Sequence, residues 1–143
     1  MRAYLAIKYH ADNSNRTAIE QISAQLTAAG IASVCITRDV EHWGEMYFSP
    51  EGLMRLSFAK IEQSELIIVD LTEKGVGLGI ETGYAHARGI PIITIARQGA
   101  DISETLRGIS TEVFCYASYA DLRPFFKRVN EKAKKREGEK AIE

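Results

Sequence analysis

Three alternating glycines, Gly75, Gly77 and Gly79, precede a single carboxylate, Glu81, in the segment LIIVDLTEKGVGLGIETGYAHARGIPIITIA, which runs from Leu66 to Ala96. Apolar runs flank the cluster, so it sits where a strand hands over to a helix. Glycine permits φ > 0 and lets a ligand approach the backbone. A helix start offers free N–H groups and the positive end of the dipole, which suit a phosphate or a sugar hydroxyl. Glu81 is expected in the first helical turn, where that dipole would keep it ionised. An ionised carboxylate beside a pocket can attack an electrophilic carbon and form a covalent ester. The same residues also fit a plain tight turn followed by a dipole-paired acid. The pattern is not a dinucleotide fingerprint, because the spacing differs from GxGxxG and it follows the third strand. It is not a Walker loop, because no Gly-Lys-Ser/Thr follows.

The elements around this cluster must position it. Tyr4–Ile7 is a short apolar strand, followed by the polar loop KYHADNSNR. Ser14 or Asn15 can cap a helix over 16–29, with Ile19, Ile22, Leu26 and Ala29 on one face and Gly30 as its stop. Strand two is expected over 31–36. A loop over 38–49 holds His42, Trp43, Tyr47 and Phe48, and Pro50 opens a second helix that runs to about Gln63. Leu66–Leu71 is nearly all apolar and predicts a central strand buried on both faces. A third helix is expected from about Leu78 to Arg88, then strands over 91–96 and 111–116. A last amphipathic helix carries Leu122, Phe125, Phe126 and Val129.

Strands alternating with helices predict an α/β fold: one doubly wound, flavodoxin-like or Rossmann-like domain with a five-stranded parallel sheet in the order 2-1-3-4-5. Residues 1–130 form that domain. Residues 131–143 are a charged helix end or a frayed tail. In such sheets ligands bind beyond the carboxyl ends of the strands.

Composition narrows the function. The chain has 143 residues, which suits one domain, and a net charge of −1, which offers no basic field for nucleic acid or anionic membrane. No apolar run approaches the roughly 20 residues that span a bilayer, and the first ten residues lack a signal-peptide core. Cys35 and Cys115 each sit in an apolar run and are expected as buried thiols in a cytoplasmic protein. His10 and His86 are isolated, and no metal or cofactor motif accompanies them.

The segment VDLTEKGVGLGIETGYAHARGIPI resembles the nucleoside 2-deoxyribosyltransferase superfamily, which includes the 2′-deoxynucleoside 5′-phosphate N-hydrolases. The hallmark G-x-G-x-E-x-G-x-A is present here as Gly77, Gly79, Glu81, Gly83 and Ala85. SETLRG, residues 103–108, resembles the hydrolases' segment before the last strand. The resemblance implies that Glu81 is a nucleophile toward C1′ of the sugar, that the base departs, and that water or a second base completes the turnover. It implies no cofactor. It implies a homodimer in which Ser103 reaches the phosphate in the neighbouring site, with Arg107 as a further phosphate ligand.

The chain departs from the family in places. Ser57 stands where members carry an aspartate that touches the sugar, and Asp70 is expected to face the same crevice and substitute for it, or else to cap the following turn. Gly75 stands where the hydrolases carry a serine for the 5′-phosphate. The first loop has no glycine; Lys8, Asn13, Asn15 and Arg16 are candidates for the phosphate and Tyr9 for stacking on the base. His42 and Trp43 are candidates for base stacking or lid contacts, or for packing against the last helix.

Hydrolysis of a (deoxy)nucleoside 5′-monophosphate is the leading reading. Base exchange by a nucleoside 2-deoxyribosyltransferase and a non-catalytic nucleotide-binding module are the alternatives. A receiver-like or flavin-binding domain ranks below them. The partner expected is a small nucleotide or nucleoside, with no nucleic acid and no membrane.

Overall fold

A computed structural model describes residues 1–143. Its sheet contains β1 (Arg2–Ile7), β2 (Ala32–Val34), β3 (Leu66–Asp70), β4 (Ile92–Arg97) and β5 (Glu112–Tyr116), all parallel, in the order β2-β1-β3-β4-β5. This is the order expected from the sequence. The helices are α1 (Arg16–Ala28), α2 (Pro50–Glu62), α3 (Val76–Ala87), α4 (Glu104–Ile109) and α5 (Leu122–Ile142).

The period of two along each strand sorts side chains onto two cores. Ala3, Leu5, Leu66, Ile68, Ile93, Ile95 and Tyr116 pack with α1 and α5. Tyr4, Ala6, Ile67, Val69 and Ile92 pack with α2, α3 and α4. Every residue of β3 is buried, because helices cover it on both sides. Burial of each such Ile or Val contributes about 1.5–3 kcal/mol. The register aligns Ile7 with Asp70 and Asp70 with Ile95, so the strands end together and form one ridge.

Several boundaries differ from the expectation. Helix α3 starts at Val76, two residues earlier than expected, so the glycine segment is the first turn of a helix. Helix α4 lies within a stretch expected as loop; its six residues are too few for a clear helical period, and Leu106 is its one buried anchor. Residues 36–49 contain a π-helical turn over Ile36–Val40 and a 3-10 turn over His42–Gly44, with His42 and Trp43 at φ of 47° and 60°. Gly30 and Gly89 stop their helices at φ of 80° and 72°. Helix α5 continues to Ile142, but none of its residues beyond Asn130 is buried.

Cys35 is buried, whereas Cys115 is exposed, contrary to expectation. Cys115 lies on the edge strand β5 and alternates with Phe114 and Tyr116, which turn toward α5. No helix is long and apolar enough to cross a membrane.

Candidate active site

Helix α3 brings Glu81 under the sheet ridge on the α2 side. Glu81 is the sixth residue of the helix, so it lies in the second turn, and no acid occupies the first. The expected dipole pairing in the first turn is therefore absent. Gly75 is the N-cap residue at φ −159°, and none of Gly75, Gly77 and Gly79 adopts a positive φ. Their value here is space. A Cβ at Gly77 or Gly79 would meet nothing within 4 Å, so the backbone of this turn is bare and open to a ligand. A Cβ at Gly75 would lie 3.5 Å from Lys8 Cγ.

The Tyr4 hydroxyl donates to Glu81 Oε1 at 3.0 Å. Tyr4 is 1% exposed, so its ring holds that hydroxyl in one place. Burial pushes the Glu81 carboxyl up to about 7, and the Tyr4 bond works in the opposite direction. This reverses the expected cause: desolvation, not the helix dipole, dominates the charge state of Glu81. Burial first, then the charge of Glu81, drives Tyr4 well above its ordinary value, so it remains a donor. Oε2 of Glu81 forms no hydrogen bond within the chain.

The Tyr4 bond has a testable consequence. Tyr4→Phe leaves the carboxylate without its donor, and the Glu81 titration midpoint is expected to rise by about one pH unit. Carbon NMR of labelled glutamate measures it directly. A midpoint that stays in place or falls would show that the bond does not hold the anion.

Ser57 is 2% exposed and borders the Tyr4 hydroxyl, while its own Oγ donates to the Leu53 carbonyl at 2.9 Å. It supports Tyr4 from α2 and is spent on its own helix. Asp70 does not join this group. Its side chain follows Ile68 onto the opposite face of the sheet, where Oδ2 accepts from the Tyr116 hydroxyl at 2.6 Å and Oδ1 from the Thr72 N–H at 2.8 Å. The expectation that Asp70 shares the crevice of Glu81 is corrected by the strand period; its turn-capping role is what the structure shows.

The first-loop candidates are also divided. Lys8 and Asn15 line a pocket on the Asp70 face. Arg16 pairs with Glu20 at 3.0 Å and lies 4.5 Å over the Trp43 ring. Asn13 Nδ2 donates to the Trp43 carbonyl at 2.8 Å, which ties this turn to the start of α1, and the Trp43 side chain packs on the core that α1 and α5 share. Tyr9 is 61% exposed. Ser103 is the N-cap residue of α4, with Oγ 2.8 Å from Thr105 Oγ1, and Arg107 is half-exposed, 3.9 Å from Glu104. Leu106 joins the core that holds Tyr4, so α4 lies on the same side of the sheet as Glu81.

Two contributors escaped the sequence reading. Tyr4 counted only as a strand residue, although its place on the α2 face follows from strand alternation. Arg97, at the carboxyl end of β4, gave a weak signal as a lone cation after an apolar run. No group of three or more His, Cys, Asp or Glu is placed to hold a metal.

A part-buried acid on the helix after the third strand, beneath a bare glycine turn in a 2-1-3-4-5 sheet, makes this a doubly wound α/β fold with a candidate site at Glu81. Comparison with known proteins agrees in sequence and in fold. The chain is 24% identical over 127 residues to the Thermofilum pendens protein named "Putative 2′-deoxynucleoside 5′-phosphate N-hydrolase 1", covering 85% of this chain and 87% of that one. The structure of the 2-deoxyribosyltransferase from Bacillus psychrosaccharolyticus superposes with a TM-score of 0.67 at 11% identity, over 86% of this chain and 90% of that one. The Clostridium botulinum CMP N-glycosidase BcmB superposes with a TM-score of 0.60 at 21% identity, over 91% and 98%. No family model matches the chain.

Proposed function

We propose that this protein is an enzyme that cleaves the N-glycosidic bond of a (deoxy)nucleoside 5′-monophosphate through a covalent glycosyl ester on Glu81. The observation that carries this reading is the held carboxylate: Tyr4 fixes Oε1, Oε2 is unengaged, and Gly77 and Gly79 leave the approach open. The names of the relatives, an N-hydrolase, a deoxyribosyltransferase and an N-glycosidase, support the same bond as the target.

In this reading Glu81 Oε2 attacks C1′ of the sugar. The C1′–N bond breaks, its electron pair leaves with the base, and the base takes up a proton. The ester then yields to water at C1′, which releases the sugar phosphate and restores the carboxylate. Two displacements at one carbon retain its configuration, as in retaining glycosidases. Tyr4 steadies the anion before attack and after release.

The reading includes a homodimer. Val76, 82% exposed, and Ile80, 47% exposed, form an apolar stripe on α3 beside the glycine turn, which suits a second copy of the chain. Ser103 and Arg107 of that copy would then supply phosphate contacts, in place of the serine that Gly75 lacks.

Free base released from a panel of nucleosides and 5′-monophosphates, ribo and deoxy, tests the proposal by chromatography. Release from a monophosphate is expected to exceed release from its nucleoside by tenfold or more. Release only when an acceptor base is added would assign base exchange instead. No release under either condition would overturn the enzyme reading and leave a nucleotide-binding module.

A further inference from the structure

The ridge of strand ends carries a polar pocket, on the face opposite Glu81, with a volume of about 190 Å³. Its floor is built on three neighbouring strands. Asp70 of β3 is 3% exposed and holds Tyr116 of β5 through the 2.6 Å bond described above. Thr72 Oγ1 accepts from the Arg97 N–H at 3.0 Å, which fixes the end of β4. The Arg97 guanidinium lies 4.6 Å over the Tyr119 ring. Side chains mounted on strand ends in this way keep a preset geometry.

The lining selects a ligand by its chemistry. Lys8 and Arg97 both line the pocket, and neither forms an ion pair with any acid of the chain. The two acids of the lining are engaged elsewhere, Glu73 with His10 Nε2 and Asp70 with the Tyr116 hydroxyl and the Thr72 N–H. Two unpaired cations call for an anion, and a guanidinium matches a phosphate with a fork of donors. Asn15 donates through Nδ2 to the Lys8 carbonyl at 2.7 Å, but its Oδ1 is buried with no partner. A buried carbonyl left in that state costs roughly 1–3 kcal/mol, so the site favours a ligand that brings an O–H. A bare anion would leave Oδ1 unsatisfied, and a cation would meet Lys8 and Arg97. The volume is below the roughly 300–1,000 Å³ of pockets that enclose drug-sized ligands, too small for a whole nucleotide.

We propose that this pocket is a second ligand site that takes a small sugar phosphate, its phosphate on Arg97 and Lys8 and a sugar hydroxyl donating to Asn15 Oδ1. Glu81 does not line the pocket, so the site stands apart from the reading of Glu81 as a nucleophile. A sugar phosphate is also the class of product that hydrolysis at Glu81 would release.

Calorimetric titration with ribose 5-phosphate tests the site on wild type, Glu81→Gln, Arg97→Gln and Ala18→Leu. Ala18 lines the pocket on α1, so leucine fills it without touching a charge. Wild type and Glu81→Gln are expected to bind equally, and the other two variants to lose tenfold or more. Ribose and inorganic phosphate, each alone, are expected to bind at least tenfold more weakly than ribose 5-phosphate. Thermal melts check that the variants fold. The proposal is overturned if wild type does not bind, if folded Arg97→Gln or Ala18→Leu binds like wild type, or if Glu81→Gln alone loses binding. Inorganic phosphate binding as tightly as the sugar phosphate would also overturn it.

Discussion

Glu81→Gln is expected to lower base release by a factor on the order of 10³ or more, with substrate binding largely kept. Glutamine has the same shape, and its Oε1 still accepts the Tyr4 hydroxyl, so the surroundings of the site are retained. What is lost is the unengaged carboxylate oxygen that would attack C1′. A second measurement separates nucleophile from mere electrostatic support. Wild type quenched in acid during turnover should show a mass increase of one sugar phosphate on the peptide that contains Glu81, and Glu81→Gln should show none. Full activity in Glu81→Gln would remove the covalent mechanism. Loss of activity with no adduct in wild type would leave Glu81 as a charge beside the reacting carbon and route the water attack directly.

The sheet was legible in the sequence because its strands are short apolar runs separated by helical periods. Leu66–Asp70 could only be a central strand, and its position fixed the place of the glycine turn. Glu81 was legible as a candidate from motif spacing. Its environment was not, because burial comes from side chains distant in sequence: Tyr4 is 77 positions away and meets it only once β1 lies beside β3. Asp70 shows the reverse problem. Its chain position suggested the same crevice, while the period of two sends it to the other face. A count of alternate residues from Leu66 would have separated the two acids. Helix α4 and the turns over 36–44 stayed hidden because short, irregular elements lack the period that pattern reading requires.

The same part-buried carboxyl predicts how stability should vary with pH. Glu81 titrates at about 7 in the folded chain and near 4.5 when exposed. Between those values the folded state binds more protons than the unfolded state, so stability falls as pH rises through that window and levels off above about 7. A shift of this size corresponds to roughly 3 kcal/mol at most. Glutamine cannot ionise. Glu81→Gln should therefore match wild type near pH 4.5 and exceed it by up to about 3 kcal/mol at pH 8, a difference in Tm on the order of 10 °C for a chain of this size. Asp12, Asp39 and Asp121 have carboxyls held below their ordinary range by their hydrogen bonds, so their stabilising effect is lost only in more acidic solution. They are common to both proteins and cancel in the comparison. Thermal melts from pH 4.5 to 8 measure it, and a gap that does not widen with pH would show that Glu81 stays solvated. A widening gap would mean that the fold retains an ionised carboxylate at a loss of stability, which is the trade expected where a charge is kept poorly solvated for attack.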